Sequence, residues 1–245
     1  SAARHRIMVN YHGAYKPTGM NRTWPNQITR EGVRGNEISK WEIPSDALNP
    51  ATLVFTRFLA GPGDYTPGGF GNVHARDFVS QIDRGHLYGD MSSAGAAQKI
   101  YAEEIGTRAH ALALCVALDS PLMTLCDCPE RYRGAAGIDL LRRLPTTWRR
   151  TVPLAGEIGS HYAVAREAFD GRVYLAAQTV AARALTFDLG FLGGGEWSAE
   201  IFRDAADSDG VPTHYVHERN LAVRAGDKKS IRMAPGGGFV VKFTK

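Results

Sequence analysis

The chain changes its hydrophobic rhythm near residue 145. Up to that point apolar residues fall in short runs or at helical spacing. The run Ile7-Met8-Val9-Asn10-Tyr11-His12 reads as a strand, stopped by Gly13 and then by Pro17-Thr18-Gly19. Leu53, Val54, Phe58 and Leu59 predict a short helix over 52–60, ended by Gly61-Pro62-Gly63. The Ala- and Leu-rich stretch 107–118 predicts the clearest helix, finished before Pro121. Leu122-Met123-Thr124-Leu125-Cys126 reads as a buried strand. Pro129 suits the first turn of a helix over about 130–144, which stops at Pro145. Strands alternating with helices predict βα units around a parallel sheet. The stretch 73–104 is polar and weakly patterned, and reads as a loop excursion with some helix.

Beyond residue 145 the period becomes two. Tyr162/Val164, Val173/Leu175, Leu185/Phe187/Leu189, Leu221/Val223, Ile231/Met233 and Val241/Phe243 alternate with polar or small residues. Turn signals separate them: Asp170-Gly171, Gly193-Gly194-Gly195, Asp209-Gly210, Gly226-Asp227 and Gly236-Gly237-Gly238. This spacing predicts an antiparallel β-sandwich over 145–245, after a different, α/β unit over 1–144.

Composition narrows the function more than the fold. With 245 residues, 44% hydrophobic and 22% charged, the chain is neither disordered nor fibrous. No apolar run approaches the ~20 residues of a membrane-spanning helix, so no membrane partner is expected. Lys and Arg number 29 against 25 Asp and Glu, and this spread-out excess of +4 does not argue for nucleic acid. Three cysteines allow at most one bridge. The start, Ser1-Ala2-Ala3-Arg4-His5-Arg6, carries no signal-peptide pattern and runs within a few residues into a strand, which suggests a piece of something longer.

Residues 10–37 concentrate groups that sites use, including His12, Lys16, Trp24, Glu31 and Glu37. Trp24 beside amides and guanidinium groups suits a sugar, although a solvated loop with an anchoring Trp has the same composition. Glu31 and Glu37 would lie about 20 Å apart on a fully extended chain. Gly32 and Gly35 between them allow the loop to curl so that both acids converge. Converged, they offer oxygen ligands to Ca²⁺, or one ligand and one proton donor; held apart, they are surface acids paired with Arg30 and Arg34. His12 ends a strand, where a barrel places site residues and where structural histidines also occur. The segment from Asp64 to Gly69 could sit at a site mouth, but reads more readily as a plain Pro/Gly turn. Asp207-Ser208-Asp209 with Glu218 imitates a calcium loop, but Val211 and Pro212 stand where a ligand and a glycine are needed. Cys126-Asp127-Cys128 has the wrong spacing for a redox or zinc motif.

The strings from Met8 to Gly19, Arg22 to Asn26 and Thr29-Arg30-Glu31-Gly32-Val33-Arg34-Gly35-Asn36-Glu37 resemble glycoside hydrolase family 97. So do Phe55 to Pro62, Asp64-Tyr65-Thr66-Pro67-Gly68-Gly69-Phe70, Gly106 to His110, Ser120-Pro121-Leu122, Pro145 to Trp148 and Ala234 to Gly238. The resemblance implies the second half of a (β/α)8 TIM-type barrel followed by a C-terminal β-sandwich, the rest of the protein preceding Ser1. It implies an exo-α-glycosidase assisted by calcium, acting on terminal α-linked sugars of small oligosaccharides, in the periplasm or secreted. By the same resemblance Glu37 matches the general acid, Glu31 a calcium ligand and His12 a substrate contact; Lys16 and Trp24 are further candidate substrate contacts. Inverting members carry Glu at position 13, whereas Gly13 resembles the retaining branch, whose nucleophilic Asp comes from an earlier strand. On that basis α-galactosides are somewhat favoured over α-glucosides, and the nucleophile lies outside this chain. The alternative is a non-catalytic sugar-binding or structural module. Taken alone, the chain is expected to be inactive and poorly stable, with 145–245 as its soluble part.

Overall fold

The computed structural model describes residues 1–40, 46–79 and 102–245. Its first part is built on two parallel strand pairs. β1 (Val9–Tyr11) pairs with β2 (Gln27–Arg30), and Arg30 makes a further parallel bridge to Gly63. β3 (Gly71–Val73) pairs in parallel with β4 (Glu103–Ile105). Around them lie α1 (Met20–Thr23), a 3₁₀ turn over Asn36–Lys40, α2 (Leu48–Leu53), α3 (Arg108–Ala117), α4 (Pro129–Tyr132) and α5 (Ile138–Arg143).

The remainder is antiparallel: β5 (Arg150–Glu157), β6 (His161–Glu167), β7 (Val173–Thr179), β8 (Arg183–Asp188), β9 (Glu196–Asp204), β10 (Tyr215–Arg224), β11 (Lys228–Met233) and β12 (Gly238–Thr244). Six of these form a sheet in the order β10-β9-β12-β7-β6-β5, and β8 pairs with β11 as a separate ribbon. Alternation along the strands gives the sheet two apolar faces. Leu175, Ala177, Phe239 and Val241 pack against Phe187 and Ile231 of the ribbon. Tyr174, Ala176, Phe202 and Val240 pack the other way, against Leu112 and Val116 of α3 and Leu140 of α5. Every residue of β7 is therefore buried, and the two parts of the chain share one core.

α3 is also tied to the sheet by polar groups. Thr107 caps the helix, its Oγ1 accepting the His110 backbone N–H at 3.1 Å. The same hydroxyl donates to Asp204 Oδ1 at 2.6 Å, while Asp204 Oδ2 accepts the backbone N–H groups of Ala234 and Gly238. Burial lifts the Asp204 carboxyl to about 6 in spite of those bonds.

Several expected elements differ. The stretch 122–126 is not a strand: Leu122 is exposed, and the Cys126 N–H donates singly to Pro67 O. The helix expected over 130–144 is cut into α4 and α5, because Gly134 and Gly137 adopt positive φ of 71° and 94° between them. The helix expected over 52–60 lies mostly earlier, as α2, and continues as a 3₁₀ turn over Arg57–Ala60. The excursion 73–104 begins and ends in paired strands rather than loop, its described residues hold a short 3₁₀ helix at Ala75–Asp77, and 80–101 lie outside the described residues. β5 and β9 were not foreseen.

Candidate active site

Parallel strands deliver side chains at their C-terminal ends, and three of these ends meet here. His12 follows β1, Glu31 follows β2, and Asp64 follows the Gly63 bridge. The 3₁₀ turn Asn36–Lys40 brings Glu37 to the same point. Gly35 permits this, since a Cβ there would stand 2.6 Å from Tyr65 O.

His12 is the hub. Its Nε2 lies 2.5 Å from Glu37 Oε1 and 3.8 Å from Glu31 Oε1, and its Nδ1 lies 2.9 Å from Asp64 Oδ2. Asp64, itself buried, also accepts from Asn10 Nδ2 at 3.0 Å. With Asp64 Oδ2 taking the Nδ1 proton, the 2.5 Å contact of Nε2 with Glu37 Oε1 holds one further proton between the nitrogen and the oxygen. Partial burial works against charge on His12, but the bonds to Asp64 and Glu37 and the negative charge of Glu31 and Glu37 outweigh it and raise its pKa above the ordinary value.

Glu31 is held separately. Its Oε2 accepts the Gly13 N–H at 2.5 Å. Its backbone carbonyl accepts from Arg57, whose guanidinium also bonds the carbonyls of Arg30, Gly61 and Pro62. The strand ends are thus locked by a buried arginine fork. Gly13 has φ of 63°, and a Cβ on it would meet nothing within 4 Å. The sequence singled out Gly13 for its missing side chain; the structure adds a left-handed backbone that favours glycine and an N–H aimed at Glu31.

His12, Glu31 and Glu37 each offer an atom within 4.8 Å of the others, a spacing suited to a metal ion. Two carboxylates fit a calcium ion's preference for oxygen, while the imidazole nitrogen does not, and Ca²⁺ takes six to eight oxygens. Among the described residues the cluster offers only two of the carboxylates that such an ion would need. Among the same residues, no hydrogen bond or ion pair joins Lys16 or Trp24 to this cluster. Lys16 Nζ sits 5.2 Å over the Tyr15 ring, and Trp24 is half exposed. Arg57 is a site residue that the sequence does not mark. Asp64 belongs to a segment that the sequence allows at a site mouth but reads more readily as a turn, and it enters the site directly after the Gly63 bridge.

Comparison with known proteins decides the family. Residues 1–33 match the family description "Glycoside hydrolase 97", and residues 147–244 match "Glycosyl-hydrolase 97 C-terminal, oligomerisation". The chain belongs to glycoside hydrolase family 97. It is similar to a retaining alpha-galactosidase of Bacteroides thetaiotaomicron, 31% identical over 246 residues that take in 98% of this chain and 34% of that protein. A probable retaining alpha-galactosidase of Streptomyces bingchenggensis is 32% identical, over 98% of this chain and 32% of its own length. The chain therefore spans about a third of these family 97 relatives. Among solved structures, a family 97 enzyme from Pseudoalteromonas sp. strain K8 in complex with acarbose matches 99% of this chain and 35% of its own, with a TM-score of 0.83 and 32% identity.

Proposed function

We propose that the protein carrying this chain is a retaining exo-α-glycosidase, with Glu37 as its acid/base. The observation that supports this best is the Asp64–His12–Glu37 relay. With its Nδ1 proton held by Asp64, His12 shares a second proton between Nε2 and Glu37 Oε1, 2.5 Å apart. With that proton on the oxygen, Glu37 can donate it to a leaving oxygen. Once the leaving group has gone, the Glu37 carboxylate takes a proton from the incoming water. His12 stays beside it as the group that moderates its charge.

Gly13 supports retention rather than inversion. An inverting reaction needs a second carboxylate set back far enough to hold a water, whereas a retaining one needs a nucleophile about 5–5.5 Å from the acid. Position 13 carries no side chain, and in this reading the nucleophile is an Asp on a barrel strand preceding Ser1. The two parallel pairs would then be later strands of that barrel, with residues 1–144 completing it and 145–245 forming the C-terminal sandwich. The similarity to proteins named as retaining alpha-galactosidases favours α-galactosides as substrates; the complex of the Pseudoalteromonas enzyme with acarbose keeps α-glucosides in view.

Calcium belongs to the same proposal. Glu31 would supply carboxylate oxygen to it beside the acid Glu37, and the ion would lend positive charge to a site otherwise crowded with acids. The test of the whole reading is NMR of the first sugar anomer released by the complete protein, from aryl α-galactoside and aryl α-glucoside in parallel. Release of the α-anomer first is expected. The β-anomer first would overturn the reading of Gly13.

A further inference from the structure

Behind Glu37 lies a buried polar cluster that the relay does not use. Glu104, on β4, is 1% exposed, and its Oε2 accepts Asn36 Nδ2 at 3.1 Å. Asn36 is equally buried and is the residue directly before Glu37. Its Nδ2 also points at Cys126 Sγ, 3.3 Å away, and its backbone N–H donates to Tyr65 O at 2.9 Å. The loop from Tyr65 to Phe70 closes over this pair. A Cβ on Gly69 would fall 2.9 Å from Glu104 Cβ and 3.0 Å from both Glu104 Oε2 and Asn36 Nδ2. Glu37 itself has one backbone tether to this loop, its N–H donating to Thr66 Oγ1 at 3.2 Å.

We infer that Glu104 is a positioning residue for the Glu37 carboxyl, acting through Asn36. The inference rests on the reading of Glu37 as the acid/base. A lone buried acid is costly, and here the geometry shows what it accomplishes. Oε2 faces two donors, the Asn36 amide and the Gly69 backbone N–H, while Oε1 lies 3.6 Å from His110 Nδ1. Both of these last atoms are buried without another hydrogen-bond partner. A protonated carboxyl suits the arrangement better than a charged one: Oε2 accepts, and an O–H on Oε1 faces the imidazole at 3.6 Å, beyond hydrogen-bond length. Burial agrees with that assignment, raising Glu104 to about 8 and lowering His110 to about 3, so that both are neutral at pH 7. A side chain without an oxygen here would leave the Asn36 amide with only a weak sulfur acceptor. It would also free the short turn that sets the direction of Glu37. Misplacement of a catalytic group by about 1 Å costs on the order of a hundredfold.

The test uses the complete protein with Glu104→Leu, Glu104→Gln, Asn36→Ala and the Glu104→Leu/Asn36→Ala double variant. Each is assayed on an unactivated α-glycoside and on an aryl α-glycoside with a good leaving group. Glu104→Leu and Asn36→Ala should each lower kcat on the unactivated substrate by roughly tenfold to a hundredfold with KM little changed. The aryl glycoside, which needs no proton, should be largely spared. Glu104→Gln keeps both the acceptor for Asn36 and a donor toward His110, and should stay within about threefold of wild type on both substrates. The double variant should be no worse than the poorer single variant, because the two residues act in series. Equal losses on both substrates, additive losses, or no loss would each overturn the inference. Should Glu104→Leu fail to fold, Asn36→Ala and Glu104→Gln decide it by the same substrate comparison. A wild-type protein that hydrolyses no α-glycoside overturns instead the acid/base reading of Glu37.

Discussion

His12 sits between two acids with opposite duties. Asp64 must keep the Nδ1 proton, so that Nε2 can share a second one with Glu37. In Asp64→Asn the amide can donate to Nδ1, which turns the tautomer round and points an Nε2–H at Glu37. Loss of the correct tautomer is costly in other acid–base sites. Here kcat/KM on an unactivated glycoside should fall at least tenfold, and the alkaline limb of its pH profile should move to lower pH. A second consequence concerns stability. The His12 pKa is raised in the folded protein, so the ion pairing it makes stabilises fully below its ordinary value of 6.5 and is lost as pH rises through the raised value. Melting curves at about pH 5.5 and pH 8.5 should show His12→Gln losing more at the acid end; because His12 is half exposed, the difference will be small.

At the scale of elements, α3 carries the clearest test. Thr107→Ala removes a helix cap, worth about 0.5–2 kcal/mol, and also takes a donor from the buried Asp204 carboxyl. A loss of about 2 kcal/mol is expected, which thermal or urea melts would register; Thr107→Ser, which keeps the hydroxyl, should lose far less. This helix was legible in the sequence because its Ala/Leu run has one reading. Most antiparallel strands were legible too, because alternation and Gly turns agree. The strand β4 was not. Two consecutive glutamates break any strand pattern, and Glu104 is accommodated by Asn36 and Gly69, which are distant in the chain, with the Arg108 charge nearby. β9 does alternate, with Trp197, Ala199 and Ile201 buried between more exposed neighbours, and the pattern breaks only at Ile201-Phe202, which are both buried. The site was half legible. Polar density and the two glycines marked His12, Glu31 and Glu37, but the roles of Asp64 and Arg57 depend on strand ends meeting across more than twenty residues.

For the molecule as a whole, the break in rhythm at residue 145 is not a break in packing. The sheet face formed by Tyr174, Ala176, Phe202 and Val240 is closed by α3 and α5. A segment of residues 145–245 would present that face to water, a contiguous apolar patch of the kind that associates. The expectation that this segment is the soluble part therefore changes. It should aggregate or bind a hydrophobic dye strongly, and adding back residues 102–144 on the same chain should suppress both. A monomeric, dye-silent segment of 145–245 would contradict the shared core.

The burial of α3 has a further reach, in time rather than energy. All ten of its residues are buried, and its flanks touch both the loops behind Glu37 and the central strands of the sheet. No local fraying can bring water to the middle of such a helix, so its amide protons can exchange for deuterium only when the surrounding structure opens as a unit. The helix is thus a built-in clock for the whole fold. Labelled peptides from α3 and from β7 should gain deuterium at the same slow pace and respond equally to mild denaturant, while the exposed strand β5 turns over sooner.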